Sequence, residues 1–325
     1  MIPAKLAPGD TVCVVSPSKS LAIVSPQIQK IAEETLARLG IQVVFGQNAT
    51  IKDRFGSASV EERLSDLHNA FLNPQVKAIL TSIGGFNANQ LLRALDYDLV
   101  RHHPKILCGY SDITALGNAI FAKTGIVNYS GPHFSTLGMR LGLEYTLEYF
   151  QKCLMEVSKI QVQPSPTWSD DPWYLEQTKR QFTPSPGYLV INEGRAGGRL
   201  IGGNLCTFNL LQGTEFMPSL EDAILLLEDD LETQSEHFDR DLQSLLHQPG
   251  FSSVQGLVIG RFQTGSHIDD DALVEIIHRK PELRKLPVIA NANFGHCTPQ
   301  FTFPIGGRGQ LVAEAGQVEF TITEH

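Results

Sequence analysis

Ser111 stands in the stretch KILCGYSDITALGNAIFA, residues 105–122. A short apolar run ends there in Cys108-Gly109-Tyr110, and a helical apolar face (Ile113, Leu116, Ile120, Phe121) begins. A serine at a sharp strand-to-helix turn has its hydroxyl forced out of the backbone, near helix N–H groups that stabilise an oxyanion. Gly109 fills the first glycine of a G-x-S-x-G nucleophile elbow, whereas Ile113 takes the place of the second. The competing reading is capping, with Ser111 as N-cap and Asp112 as a first-turn acid. This stretch alone leaves both open.

Three other stretches carry groups that such a serine would need. Gly84-Gly85, in TSIGGFNANQLL, separate an apolar run from a helical pattern. Without Cβ atoms their N–H groups can approach a ligand, as half of an oxyanion hole or an anion cradle, or they form a tight turn. The stretch is neither G-x-G-x-x-G nor a P-loop. Glu228 closes the apolar run AILLLE, where a buried acid calls for a partner, and it suits the role of orienting a histidine. Asp229, Asp230 and Glu232 read as a solvated loop or a helix cap. His296, in NFGHCTPQFTFPIG, follows a strand and is placed to act as general base, though a structural role fits as well. His133, in YSGPHFS, is a second candidate for the same cleft. The order Ser111, Glu228, His296 is nucleophile, acid, base; only geometry can make it a triad. Metal-ligand spacings of the H-E-x-x-H type and paired cysteines are missing, so no metal is expected.

Strand and helix signals that alternate along the first half must position these groups. TVCVV, IQVVF, VKAILTS, KILC and IVNYS read as short buried strands. Between them lie SPQIQKIAEETLARLG, with Ser25 as N-cap and Pro26 at the first helical position, and SVEERLSDLHNAFL, with Ser59 and Glu62 at capping-box spacing. NANQLLRAL also reads as helix. This alternation predicts an α/β fold with a parallel sheet covered on both faces. Residues 158–187, rich in Pro, Ser and Asp, hold both tryptophans, Trp168 and Trp173, and read as a long irregular connection. The expected division is 1–157, a 158–187 linker and substrate loop, and 188–325, where further strands and helices end in a hairpin.

The totals bound the class. The chain has 325 residues, of which 42% are hydrophobic and 19% charged, enough for one or two well-buried domains. Its net charge of −9 argues against a nucleic-acid polymer as partner. The five scattered cysteines fit reduced thiols in a cytoplasm. Neither a signal peptide nor a membrane span is expected.

Taken together, SIGGFNANQLLRALDYD, GYSDITAL, GGRLIGGNLCTFNLLQGTEFMP, ILLLEDD and NFGHCTPQFTFPIGG resemble the LD-carboxypeptidase family of serine peptidases, across almost the whole chain. The SIGG-N-NQLL and GGNL-T---L-GTE patterns and the Trp-bearing linker are most similar to its microcin C self-immunity (MccF-like) branch. Ile83 stands where the murein-recycling branch typically has an Arg. The resemblance implies a class I glutamine-amidotransferase-like N-terminal domain and a smaller, swivelling β/α C-terminal domain, with the triad split between them. It implies Ser111 as nucleophile, His296 as base, Glu228 as its orienter, and the N–H groups of Gly85 and Asp112 as oxyanion donors. It also implies Asn204 as a substrate contact, and Trp168 or Trp173 stacking on the adenine of a substrate. The expected enzyme is a cytoplasmic homodimer without cofactor that hydrolyses the amide of processed microcin C-like aminoacyl-nucleotides. The sister activity is removal of terminal D-Ala from murein tetrapeptide; a non-catalytic binding protein is the alternative of another class.

Overall fold

The computed structural model describes residues 1–314 and 316–325. Its first strands are β1 (Thr11–Val15), β2 (Gln42–Phe45), β3 (Val76–Thr81), β4 (Ile106–Cys108) and β5 (Asn128–Ser130). The helices among and after them are α1 (Pro26–Arg38), α2 (Val60–Leu72), α3 (Tyr97–His102), α4 (Ile113–Thr124) and α5 (Glu144–Met155). Local chemistry sets these bounds. Ser25 accepts from the Ile28 N–H with Pro26 in the first turn, and Ser59 and Glu62 close a reciprocal capping box. NANQLLRAL departs from the expectation: only one tight turn, Ala88–Leu91, is helical. The N–H groups of Asn87 and Ala88 go to the Asp112 carboxylate, and Asp96 then caps the separate helix α3.

The remaining strands are β6 (Ile160–Val162), β7 (Thr167–Trp168), β8 (Thr183–Pro184), β9 (Leu189–Asn192), β10 (Gly194–Asn204), β11 (Ala223–Glu228), β12 (Gly256–Gly260), β13 (Val288–Ala292), β14 (Phe303–Ile305), β15 (Arg308–Glu314) and β16 (Gln317–Glu324). Helices α6 (Leu205–Asn209), α7 (Ser235–Leu246) and α8 (Asp270–His278) connect them. Two large sheets result. The first has the order β14-β5-β4-β3-β1-β2 and is parallel except for β14. The second, β6-β16-β15-β10-β11-β12-β13-β9, has a parallel centre, β10 to β13, and antiparallel edges. The fold is thus mixed α/β, with a parallel-sheet N-terminal region and a separate C-terminal domain. With eight strands, the second sheet is the larger one.

The sheets do not part at a single point in the chain. β6, inside the 158–187 connection, joins the second sheet beside β16, and β14 crosses back to pair with β5. Helix α4 packs on β10: Asn118 Nδ2 donates to the Gly202 carbonyl at 2.9 Å, and the Asn204 N–H donates to Thr114 Oγ1 at 3.0 Å. Both clusters of buried apolar side chains draw on both sheets. The C-terminal ends of the parallel strands therefore meet across a shared core, where open α/β sheets place their ligands.

Candidate active site

Ser111 follows β4 with φ 58°, a left-handed conformation that is uncommon outside glycine and asparagine. That twist turns its hydroxyl away from helix α4. Oγ lies 3.1 Å from His296 Nε2, and His296 Nδ1 lies 2.7 Å from Glu228 Oε2. Asp112, at the head of α4, makes no side-chain cap bond. The N-cap position belongs to Asp112 and the Ser111 hydroxyl meets His296, so capping does not account for Ser111.

Glu228 is the last residue of β11 and is almost fully buried. Gly295, with φ 96°, leaves it room: a Cβ there would stand 2.6 Å from Glu228 Cγ. The same turn carries the next residue, His296, off the end of β13. Burial alone would lower its pKa, but the charge and hydrogen bond of Glu228, backed by Asp230 and Asp229, outweigh burial and lift it to about 9. The carboxylate accepts from Nδ1–H, so once deprotonated the ring presents an Nε2 lone pair to the hydroxyl.

Gly84-Gly85 turn beside this pair. A Cβ on Gly84 would stand 3.0 Å from Ser111 Oγ, and Gly85 has φ 154°. The turn is tied down by Asp112, whose Oδ2 accepts from Ser18 Oγ (2.5 Å), the Asn87 N–H (2.9 Å) and the Ala88 N–H (2.8 Å). The sequence did not reveal this clamp. Its three donors come from two separate segments, and no local spacing announces them.

One further expectation needs correction. Asp229 is not solvated. It is buried, accepts from Asn204 Nδ2 at 3.1 Å and from the Cys206 N–H at 3.2 Å, and is pushed up to about 6 by burial and by Glu228. Asn204 is buried as well, and its amide is spent on Asp229 and on capping α6 through the Thr207 N–H. Those bonds fix the orientation of its side chain at the C-terminal end of β10. His133 does border the site: it is buried, its ring lies 4.4 Å from that of Tyr110, and Tyr110 in turn lies 5.3 Å from the His296 ring.

The tryptophans differ. Trp168 is half-buried, with the Arg261 guanidinium 4.9 Å from its ring centre. The next residue, Ser169, exchanges two backbone hydrogen bonds (2.7 and 2.8 Å) with Thr298, two residues past His296. Trp173 packs on the core cluster with its edge toward Tyr174. Trp168 is thus the tryptophan joined to the histidine loop. No group of three or more metal-ligating side chains occurs among the described residues.

A hydroxyl, an imidazole and a carboxylate in this relay, beside a glycine turn, form the constellation used to attack acyl groups. The two sheets around it define a mixed α/β protein. The LD-carboxypeptidase N-terminal domain matches residues 12–131 and the LD-carboxypeptidase C-terminal domain matches residues 197–311. The chain belongs to the LD-carboxypeptidase family. It is 52% identical to the carboxypeptidase-like protein YocD of Bacillus subtilis over the full length of both. It is 30% identical to the microcin C7 self-immunity protein MccF of Escherichia coli (100% of this chain, 96% of MccF) and 28% identical to the murein tetrapeptide carboxypeptidase of Pseudomonas aeruginosa (77% and 76%). The crystal structure of an MccF-like protein from Bacillus anthracis superposes with a TM-score of 0.99 at 52% identity over all of both chains. MccF in complex with aspartyl sulfamoyl adenosine superposes with a TM-score of 0.90 at 28% identity, over 100% of this chain and 99% of that one. No helix among the described residues is long and apolar enough to cross a membrane.

Proposed function

We propose that this protein is a serine peptidase or amidase that hydrolyses the amide bond of processed microcin C-like aminoacyl-nucleotides. The observation that carries the reading is the continuous relay from Ser111 Oγ (3.1 Å) through His296 to Glu228 (2.7 Å), built on a serine in a left-handed turn. Ser111 Oγ attacks the carbonyl carbon while its proton passes to His296 Nε2. The carbonyl oxygen takes the negative charge against the N–H groups of Gly85 and Asp112. Collapse expels the amine, which leaves with the proton from His296. Water, deprotonated by the same ring, then cleaves the acyl-serine.

Two features support the nucleotide substrate: Trp168 stands on a strand tied to the His296 loop, and MccF structures hold aminoacyl-nucleotide analogues. Murein L,D-carboxypeptidase activity is the second reading, favoured by the carboxypeptidase relatives at comparable identity. Initial rates on an aminoacyl-adenylate amide and on murein tetrapeptide decide between them. Faster release of D-Ala from the tetrapeptide would overturn the first reading.

A further inference from the structure

A buried cation stands behind the glycine turn, and the relay does not use it. Arg63 lies on helix α2 and is 3% exposed. Its guanidinium is spent on uncharged groups. Nη1 donates to the Pro17 carbonyl at 3.0 Å and to the Asn87 carbonyl at 3.1 Å, and Nη2 donates to Gln90 Oε1 at 2.7 Å. A charge held away from water needs both hydrogen bonds and an opposite charge. Burial pushes the Arg63 pKa down, and Asp112 is the leading charge that opposes the shift.

These two charges grip the same two segments. In the first, the Pro17 carbonyl is on Arg63 and the Ser18 hydroxyl is on Asp112 Oδ2 (2.5 Å). In the second, the Asn87 carbonyl is on Arg63, and the N–H groups of Asn87 and Ala88 are on Asp112. The Gly84-Gly85 turn lies between them. Its Gly84 carbonyl accepts from the Lys19 N–H at 3.2 Å. The peptide is trans, so the Gly85 N–H is directed away from Lys19. Ser111 stands across the turn from that segment: a Cβ on Gly84 would lie 3.0 Å from Ser111 Oγ, whereas a Cβ on Gly85 would meet Ser18 and Lys19. The Gly85 N–H has no backbone acceptor among the described residues, so it is left free.

We propose that Arg63 is a positioning residue for catalysis: with Asp112 it closes a two-charge clamp on residues 17–18 and 87–88, which holds the Gly84–Gly85 peptide with its N–H toward the carbonyl attacked by Ser111. The inference rests on Ser111 as nucleophile and on the Gly85 N–H as an oxyanion donor. No proton moves at Arg63, and it touches no substrate. Its planar fork directs two N–H bonds of one nitrogen at carbonyls of separate segments, a geometry that a lysine ammonium does not hold. A donor fixed in this way before reaction is the kind that stabilises developing charge most.

The test compares wild type with Arg63→Lys, which keeps the charge and loses the fork. Rates are counted per active site titrated with a serine-directed phosphonyl fluoride, so that unfolded enzyme does not enter. Misplacing a catalytic group by about 1 Å costs roughly 100-fold, and kcat should fall by about that factor with KM little changed. Affinity for a boronate that forms a tetrahedral adduct on Ser111 should fall by a like factor. The acid limb of the pH–rate profile, set by His296 at about 9, should not move. In hydrogen exchange the Lys19 N–H, held on Gly84 in the wild type, should lose protection in the variant. Should Arg63→Lys not fold, Ser18→Ala opens the clamp at its other charge and should give the same split between kcat and KM. Wild-type kcat and boronate affinity in the variants, or a rise in KM at unchanged kcat, would overturn the proposal, as would full protection of Lys19. Full hydrolysis by Ser111→Ala would instead remove the nucleophile reading, and the Lys19 exchange would still decide whether the clamp holds the turn.

Discussion

At the scale of the residue, the site depends on charges held where water cannot screen them. His296 must be unprotonated to act as base, and the neighbouring acids hold its pKa at about 9. The rate constant kcat/KM should therefore rise with pH through that value and level off above it, as a pH–rate profile would record. A profile that is flat from neutral to alkaline pH would contradict this. Glu228→Gln removes the largest raising influence, so its acid limb should move to lower pH while kcat falls by about 100-fold or more. Stability follows the same linkage. The raised pKa means that the stability from the His296–Glu228 pair is complete below the ordinary 6.5 and is lost as pH climbs through about 9. Asp112 makes a separate contribution. Losing a carboxylate that accepts three hydrogen bonds should make Asp112→Ala less stable by about 2–3 kcal/mol in denaturant titration. Ser111 and His296 were legible in the sequence as types and order. The Asp112 clamp and the burial of Asp229 were not, because both arise from partners distant in the chain.

At the scale of the element, the linker is tied to the His296 loop and the glycine turn lies against Ser111. The linker is not a loose connection. Arg180 pairs with Asp171 at 2.6 Å, Gln177 holds the Gly138 carbonyl at 3.0 Å, and Ser169 bridges to Thr298. Trp168 is therefore held in place before any ligand arrives. Base–aromatic stacking is worth about 1–3 kcal/mol, so Trp168→Ala should raise KM for an aminoacyl-nucleotide by roughly 10- to 100-fold with kcat little changed. An unchanged KM would remove the base-stacking role. Trp173→Ala should act on linker stability instead, through its core packing. Proline, serine and aspartate content made the segment read as irregular; the pinning contacts lie between segments and leave no periodicity. Caps were legible, since Ser25 and Ser59 bond within their own first turns. The segment after Asn87 was misread because its helical pattern could not show that Asp112 takes the first donors.

At the scale of the molecule, the relay is divided: Ser111 follows β4 of the first sheet, Glu228 ends β11 of the second, and His296 lies in the connection from β13 of the second sheet to β14 of the first. Alternating strands and helices in the first half were enough to read its parallel sheet. The crossing of β14 and the early entry of β6 were not readable, because three-residue strands carry too little pattern to name a partner. Asn118 shows how the halves are joined, with its amide on the Gly202 carbonyl inside the core. Asn118→Ala leaves that carbonyl unpaired and should cost about 1–3 kcal/mol, with a fall in activity larger than the fraction unfolded explains. The central claim is that Ser111 is the nucleophile of this divided site. Its most direct measurement is hydrolysis of an aminoacyl-adenylate amide by wild type and Ser111→Ala, with mass spectrometry of enzyme treated with a serine-directed phosphonyl fluoride. Loss of turnover in the variant and one adduct on Ser111 of the wild type are the results expected. Turnover that survives in Ser111→Ala, or an adduct on another residue, would contradict the account.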